Sequence, residues 1–137
     1  MHWIGRPGLC VLGTAFLCGC PVNAVRENPP QARTVDSGSP AKVAFFYNLT
    51  ANCEPEGVPQ VTVTQAPANG TVTVRAGSDV PQYPPDNPRA VCNQAPVPSA
   101  EVFYESAPGC RGADHLAIRV QFSSTFTQTY SYDLTVN

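Results

Sequence analysis

The stretch from Val61 to Arg75 reads V-T-V-T-Q-A-P-A-N-G-T-V-T-V-R. Val alternates with Thr on both sides of Asn69 and Gly70, and this two-residue period is typical of strands with one buried face. An Asn-Gly pair between two such runs favours a tight turn, because both residues tolerate a positive φ. The stretch therefore predicts a β-hairpin.

The valines fix the register of the predicted hairpin. A shift of one residue would turn one row of valines toward solvent. The register that keeps both rows on one face sets Val63 opposite Val74 and Thr64 opposite Thr73. The loop then spans Pro67 to Gly70.

Four further segments alternate in the same way and predict strands that face a common core. The predicted inward residues are Val43, Phe45, Tyr47 and Leu49, then Ala100, Val102 and Tyr104, then Leu116, Ile118, Val120 and Phe122, and finally Phe126, Tyr130, Tyr132, Leu134 and Val136. In the last pair of strands, Ile118 is expected opposite Tyr130 and Leu116 opposite Tyr132.

The composition favours an all-β fold and argues against some partners. The chain has 15 prolines among 137 residues and is rich in Thr and Val, which disfavours helices. Only 13% of its residues are charged, and Lys42 is its one lysine, so it lacks the clustered positive charge that nucleic acid binding requires. We predict a single all-β domain, an antiparallel β-sandwich of about six or seven strands.

The first residues have the layout of a secretory signal, because a short polar start precedes an apolar run and then small residues. An L-C-G-C motif ending at Cys20 resembles a bacterial lipoprotein box, in which cleavage leaves that cysteine to be acylated. A V-N-A motif offers an ordinary cleavage site after Ala24, and an uncleaved apolar N-terminus is a third reading. We expect a signal peptide at 1–20, a tether or edge segment at 21–40 and the domain at 41–137.

Three cysteines remain after this leader: Cys53, Cys92 and Cys110. They allow one disulfide in three possible pairings. We favour Cys53 with Cys92, because both lie in proline-rich surroundings on either side of the predicted hairpin. Closing a loop of that size stabilises the fold by about 4 kcal/mol in the chain-entropy model. Cys110 is then a buried small hydrophobe or a reactive surface thiol.

Ala76 to Pro98 contains six prolines and no regular period, which predicts a long loop, either rigid or mobile. Long loops within compact domains are often functional, since rigid scaffolds present recognition residues on them. The centre of this segment is therefore the first candidate for a partner-binding site. Its candidate contact residues are Gln82, Tyr83, Asp86, Asn87 and Arg89.

The motif A-N-G-T-V-T-V is followed by V-F-Y-E-S-A-P-G-C-R-G-A-D-H-L-A-I-R-V and by a closing alternating strand. This order resembles bacterial Ig-like or cadherin-like repeats, in which N-G-T-V precedes Y-x-P-x-x-G-F-x-G-x-D. Tyr104, Gly109, Gly112 and Asp114 match that pattern in spacing, whereas Cys110 replaces an aromatic residue. The resemblance implies an Ig-like β-sandwich in a single copy, with a structural or protein-binding role and no active site.

An enzymatic alternative would use Cys110 as a nucleophile and His115 as its base. His115 is expected on the solvent face, however, and no third group is evident, so a solvated histidine is the favoured interpretation. Glu101 and Glu105 share one strand face and could suggest a glycosidase pair. A solvated charged face explains them better, because nothing in the sequence indicates a surrounding cleft.

Metal binding has little support in the sequence. Zinc requires four Cys or His ligands at characteristic spacings, which the chain does not offer. Asp79, Asp86, Asn87 and Asp114 provide oxygen atoms near turns, yet there is no D-x-D-x-D-G calcium loop. We expect no metal and no cofactor, and we expect Asp114 to accept hydrogen bonds from backbone amides.

Two aromatic residues, Phe46 and Phe103, fall on predicted outward faces. They either form an exposed patch for a partner or lie under another part of the chain. The covered arrangement is favoured, since single apolar residues on outward faces are common.

From these patterns we expect an exported, lipid-anchored domain of the cell envelope with a structural or protein-binding role and no enzymatic activity. It would lie in the periplasm or at the outer membrane as a lipoprotein, or be secreted. The expected partner is a protein or another envelope component. We expect a monomer whose only contact with the membrane is its lipid anchor. The alternatives are a secreted inhibitor that presents the proline-rich loop and a thiol-dependent exported enzyme.

Overall fold

Eight β-strands form two packed sheets in the computed structural model, which describes residues 25–137. The strands are β1 (Arg26–Glu27), β2 (Gln31–Val35), β3 (Ala41–Phe46), β4 (Gln60–Gln65), β5 (Gly70–Asp79), β6 (Val97–Ser106), β7 (Gly112–Ser123) and β8 (Phe126–Val136). This part of the chain contains no α-helix, only a turn of 3-10 helix at Pro88–Cys92. The predicted all-β sandwich is confirmed, with more strands than expected. The predicted leader and Cys20 lie outside the described residues.

The first sheet has the order β1-β8-β7-β4, with β2 also beside β8, and the second has the order β3-β6-β5. β1 and β2 run parallel to β8, whereas all other pairs are antiparallel. The sandwich is therefore antiparallel as predicted except at this edge, where two short strands run parallel to β8. Both edge strands come from the segment that the sequence predicts to be a tether or an edge. This segment is far from β8 in the chain, so no hairpin turn forces the two to run antiparallel. None of the helical segments described is long and apolar enough to cross a membrane.

The predicted hairpin between β4 and β5 does not form. Val63 in β4 lies opposite Ile118 in β7, and Val74 in β5 lies opposite Val102 in β6, so the two strands belong to different sheets. Val61 and Val72 pack against the same core from opposite sides. An alternating pattern is equally compatible with a hairpin and with a crossing between two sheets, so the sequence pattern alone does not distinguish them.

The carboxylate of Asp114 holds this crossing in place. Its Oδ1 accepts hydrogen bonds from the backbone N–H groups of Ala68 and His115, each at 2.9 Å. Its Oδ2 accepts from the N–H of Asn69 at 3.1 Å and from the Tyr104 hydroxyl at 2.8 Å. The expectation that Asp114 binds backbone amides is confirmed.

Gly70 is required at the crossing because of close packing. A Cβ atom there would lie 2.6 Å from the Glu105 carbonyl oxygen and 2.6 Å from the Tyr104 ring. Gly70 is absent from the residues of positive φ, so the tight-turn role expected of it is wrong. The loop crosses between sheets and needs no tight hairpin turn.

A β-bulge between Lys42 and Ala44 shifts the alternation of β3 by one residue. Ala44 lies opposite the inward-facing Val102 and Phe46 opposite the inward-facing Ala100, whereas Phe45 lies opposite Glu101. Phe46 is therefore buried, and the inward positions predicted for Phe45 and Tyr47 are wrong. Val43 remains buried within the bulge.

The pairing of β7 with β8 matches the sequence expectation. Ile118 lies opposite Tyr130 and Leu116 opposite Tyr132, and all but Tyr130 are fully buried. The pairing shifts between Gln121 and Ser123, so the turn consists of residues 124–125 and the ring of Phe126 is 41% exposed. The inward position predicted for Phe126 is wrong because of this shift.

The connections gather at two opposite ends of the sandwich. At the first end, Ser37 Oγ donates to the Cys110 carbonyl at 2.9 Å, and the Gly38 N–H donates to Ser106 Oγ at 2.9 Å. The β4–β5 crossing lies at the same end, since the Ala107 N–H donates to the Asn69 carbonyl at 2.9 Å. The second end carries the turn after β3, the proline-rich loop and the β7–β8 turn.

We predict that Asp114→Asn lowers the free energy of unfolding by about 2 kcal/mol near neutral pH, because the amide turns a donor toward groups that themselves donate. Urea unfolding measures this loss. Asp133→Asn is the matched control, since its exposed contact with His115 contributes about 0–1 kcal/mol. Equal losses in both variants would contradict the role given to Asp114.

The same variant has a predicted dependence on pH. Burial alone would raise the pKa of Asp114, but hydrogen bonds from Tyr104 and from three backbone N–H groups hold it below its ordinary value of 3.8. The resulting stabilisation is present above that ordinary value and is lost as the pH falls through the lowered one. The difference between the native protein and Asp114→Asn therefore shrinks in acid, and a difference that grows in acid would contradict this.

Candidate binding site: an aromatic groove

A groove of about 590 Å³ opens along the edge of β3, between β3 and the β2–β8 pair. The rings of eight residues line it: Phe45, Phe46, Tyr47, Tyr83, Phe122, Phe126, Tyr130 and Tyr132. These are eight of the ten Phe and Tyr residues in the described part of the chain. A concave surface rich in aromatic rings is typical of ligand sites. We call it the aromatic groove.

The outer wall of the groove is a row of three rings. Phe45 and Tyr47 face away from the core because of the β3 bulge, and their ring centroids are 6.1 Å apart. Tyr83 from the proline-rich loop meets Tyr47 edge-on, with the centroids 5.3 Å apart. The Tyr47 hydroxyl accepts a hydrogen bond from the Gln82 N–H at 2.9 Å. This bond joins the loop to the end of β3.

The inner wall belongs to the edge of the core. The Phe46 ring centroid lies 4.8 Å from that of Tyr130 and 6.3 Å from that of Phe122. Phe122 in turn contacts the exposed ring of Phe126, with 5.3 Å between centroids. Burial raises the pKa of Tyr132 to about 12, so its hydroxyl stays neutral and can act as a donor near neutral pH.

Two hydrogen bonds tie the sheets together across the groove. Arg33 Nε donates to the Val43 carbonyl at 3.0 Å, and Asn48 Nδ2 donates to the Phe122 carbonyl at 3.0 Å. Both bonds join β3 or its C-terminal extension to the opposite sheet. The groove therefore runs between fixed ends.

The Cys53–Cys92 disulfide lies beneath the outer wall. This is the pairing that the sequence favours. Leu49, Cys92 and Val97 form a small buried cluster, and Tyr47 and Tyr83 pack against it. The disulfide thus joins the turn after β3 to the proline-rich loop, and the two segments that supply the outer wall become one unit.

Asn93 fixes the backbone of Tyr83. Its Oδ1 accepts from the Tyr83 N–H at 3.0 Å, and its Nδ2 donates to the Tyr83 carbonyl at 2.9 Å. Asn87 caps the 3-10 turn by accepting from the Arg89 N–H at 2.8 Å. These bonds and the disulfide hold the loop, which spans 80–96. The wider loop bounds expected from the sequence are wrong, because β5 continues to Asp79 and β6 begins at Val97.

The groove carries positive charge. Its lining includes Arg33, Lys42 and Arg89 and no Asp or Glu. Two carboxylates balance the charge of Lys42, since its Nζ lies 2.6 Å from Asp79 Oδ1 and 2.9 Å from Glu101 Oε1. These hydrogen bonds raise the pKa of Lys42. Arg33 and Arg89 have no carboxylate partner among the described residues. An anionic group on a ligand would complement them.

Three of the five loop residues singled out from the sequence line the groove: Gln82, Tyr83 and Arg89. Asp86 is exposed beside the groove without lining it, and Asn87 serves as the cap of the 3-10 turn. Sequence reasoning did not single out Asn93, because nothing in the sequence distinguishes it from other loop asparagines. The sequence also assigns six of the eight rings to the core alone: Phe45, Tyr47, Phe122, Phe126, Tyr130 and Tyr132.

The proposed thiol pair is not joined by a hydrogen bond. Cys110 is a half-buried free thiol in the turn before β7. His115 Nδ1 instead lies 2.7 Å from Asp133 Oδ1 at the surface. The structure thus gives His115 a partner other than the thiol.

Glu101 does not belong to a solvated face, so that expectation is wrong for it. It is 8% exposed and lies between Lys42 and Arg75, whose Nε is 3.3 Å from Glu101 Oε2. Gly77 on β5 makes room for it, since a Cβ there would lie 2.2 Å from Glu101 Cδ. Arg75 also covers Phe103, with its Cζ 3.8 Å from the ring centroid. The covered arrangement expected from the sequence therefore holds for Phe103, whereas Phe46 is buried because the β3 bulge turns it inward, so its predicted outward position is wrong.

The candidate oxygen ligands are used for other contacts or lie apart. Asp79 binds Lys42 and also accepts from Ser99 Oγ at 2.5 Å. Asp114 binds the β4–β5 crossing, and Asn87 caps the 3-10 turn. No group of three or more His, Cys, Asp or Glu side chains in residues 25–137 is arranged to hold a metal ion.

We predict that Asn93→Ala loosens the outer wall without unfolding the sandwich. Losing both hydrogen bonds to the Tyr83 backbone speeds amide hydrogen exchange at Gln82 and Tyr83 by about tenfold or more, whereas the amides of β7 are unchanged. Mass spectrometry of exchanging peptides measures this. Asn52→Ala is the control, because Asn52 lies in an exposed turn at the same end. Unchanged exchange at Gln82 and Tyr83 would contradict the role of Asn93.

No protein-family model matches this chain, and no curated protein matches it. Among solved structures, the chain is similar to the one titled "Solution Structure of Amebosin", with 7% sequence identity and a TM-score of 0.42. The match covers 83% of this chain and 100% of that chain. A likeness at this TM-score supports no statement about fold or function.

Proposed function

We propose that this chain is an exported binding domain of the cell envelope that receives a protein partner in the aromatic groove. The observation that carries the proposal is the gathering of eight of the ten described Phe and Tyr rings around one open concavity. A sandwich that needed these rings only for stability would bury them in its core. Here Phe126 is exposed and Phe45, Tyr47 and Tyr83 are only half-buried.

The groove is organised before any partner arrives. The disulfide, the Asn93 bonds and the Tyr47–Gln82 bond fix the outer wall, and Arg33 and Asn48 fix the spacing of the sheets. Side chains that are already ordered lose less conformational entropy on binding. Preorganisation of this kind supports a binding role over a purely structural one.

The proposed location rests on the sequence and on the disulfide. The leader has the layout of an export signal, and a disulfide persists in oxidising compartments. The L-C-G-C motif supports acylation at Cys20 and thus a membrane tether. The first strand begins at Arg26, so a tether at Cys20 would keep the groove close to the membrane surface.

Inhibition by the proline-rich loop is the second candidate function. Three exposed residues, Pro84, Pro85 and Asp86, form the tip of the loop between Tyr83, which Asn93 holds, and the capped 3-10 turn. A target bound at this tip would not depend on the rings of the groove. The two candidates therefore respond differently to the same variants.

The groove proposal predicts selective retention of a partner from a host envelope extract. Immobilised native protein and the Phe103→Ala control retain the same amount of one component. The double variant Tyr83→Ala and Phe126→Ala retains at least about tenfold less of it, because buried aromatic anchors dominate binding energy. Quantitative mass spectrometry of the eluates measures the ratio. Equal retention by the double variant would contradict a role for the groove, and dependence on Pro84 to Asp86 alone would favour inhibition.

The tether proposal predicts the intact mass of the protein recovered from its native host. Acylation at Cys20 adds the mass of a diacyl or triacyl group, and Cys20→Ser abolishes both this addition and membrane association. A polypeptide that begins after Ala24 without a lipid would contradict the tether. It would leave the groove proposal unaffected.

A further inference from the structure

The edge of β3 that faces the aromatic groove carries no neighbouring strand. β3 pairs with β6 on one side only, and the described strands provide no partner on the other. Arg33 Nε binds the Val43 carbonyl on this free side. Beyond that bond, the backbone from Ala44 to Tyr47 lies along the groove, where its free N–H and C=O groups can pair with another chain.

This part of β3 lacks the features that protect sheet edges. Edge strands usually carry charged residues, prolines or bulges that prevent pairing. In β3 the charge of Lys42 and the bulge both precede Ala44, and the segment that follows reads A-F-F-Y. The unprotected portion of the edge is thus the portion that borders the groove.

The walls offer one apolar surface for each face of an added strand. Successive side chains of a strand point to opposite faces of its sheet. On the core side of β3, an added strand would meet Phe46, Phe122 and Tyr130. On the outer side it would meet Phe45, Tyr47 and Tyr83. Alternate apolar side chains of one extended segment would therefore contact both sets of rings.

The charge of the groove selects among possible strands. Arg33 and Arg89 lack carboxylate partners in the described structure, and no Asp or Glu lines the groove. Two copies of this chain paired through β3 would bring the same cations together, which is unfavourable. A segment with acidic residues beside its apolar ones would neutralise them.

We propose that the aromatic groove binds an extended, acidic segment of a partner protein, which adds to the free edge of β3 as a further strand. The inference rests on the proposed binding role of the groove and assigns its ligand class and binding mode. Main-chain hydrogen bonds to the Ala44 to Tyr47 edge provide the pairing, and the two sets of rings select apolar side chains. Arg33 and Arg89 select the acidic residues.

The test uses the exported protein with its disulfide intact and short fluorescent peptides in which valine and phenylalanine are flanked by aspartates. Fluorescence anisotropy measures their affinity. A second set carries lysines in place of the aspartates, and a third carries N-methyl groups on alternate peptide nitrogens, which remove strand hydrogen bonds without changing side chains. We expect some aspartate peptides to bind, and both other sets to bind at least about tenfold more weakly, a loss equal to 1.4 kcal/mol.

Charge-reversal variants provide the matched control on the protein. Arg89→Glu weakens the aspartate peptides by about tenfold or more and favours the lysine peptides, whereas Arg119→Glu, on an exposed β7 position outside the groove, changes neither. Both arginines lie away from the buried core cluster, so both variants are expected to fold, and urea unfolding checks this. Equal effects of both variants would overturn the proposed charge selection.

Three results would overturn the inference and leave the proposed binding role standing. The first is equal binding of the N-methylated and parent peptides, since main-chain pairing would then be absent. The second is the lack of any binder among the aspartate peptides, and the third is groove-dependent binding of neutral oligosaccharides in their place. The proposed function itself fails only if the envelope component is retained independently of Tyr83 and Phe126.

Discussion

The carboxylate of Asp114 accepts hydrogen bonds from four donors, and through them it fixes the point at which the chain passes from one sheet to the other. Because β4 and β5 separate there, each becomes an edge strand, and the Val-Thr pattern serves two sheets at once. Tyr104 and Gly70 complete the contact. The first end of the sandwich is thereby closed by polar bonds, and the other end is left to carry the long loops.

At that second end, the groove results from three local features that act together. The bulge in β3 turns Phe45 and Tyr47 outward and Phe46 inward, so rings lie on both sides of one free edge. Bulges commonly redirect side chains in this way. The disulfide and Asn93 then bring Tyr83 against Tyr47. The Asp114 contacts and the aromatic groove therefore lie at different ends of the same sandwich.

The sequence predicts what depends on local pattern and fails where pairing is non-local. The β7–β8 register could be predicted because both strands alternate strongly and a short turn joins them. The hairpin at Val61 to Arg75 could not be excluded, since alternation does not say which sheet a strand joins. No residue type marks the position of the β3 bulge. The sequence therefore predicts Phe45 to face inward and Phe46 to face outward, the reverse of the observed orientations. Gln82, Tyr83 and Arg89 could be selected because proline-rich loops are common binding elements, whereas Asn93 acts through a contact ten residues away.

The outer wall of the groove is formed in the free protein and is held by the loop contacts. The most direct measurement is the set of nuclear Overhauser effects between the rings of Tyr47 and Tyr83 in the unliganded, oxidised protein. We expect strong effects between these rings, whose centroids lie 5.3 Å apart, and we expect them to be lost when Cys53–Cys92 is reduced. Absence of these effects in the oxidised protein would contradict this arrangement.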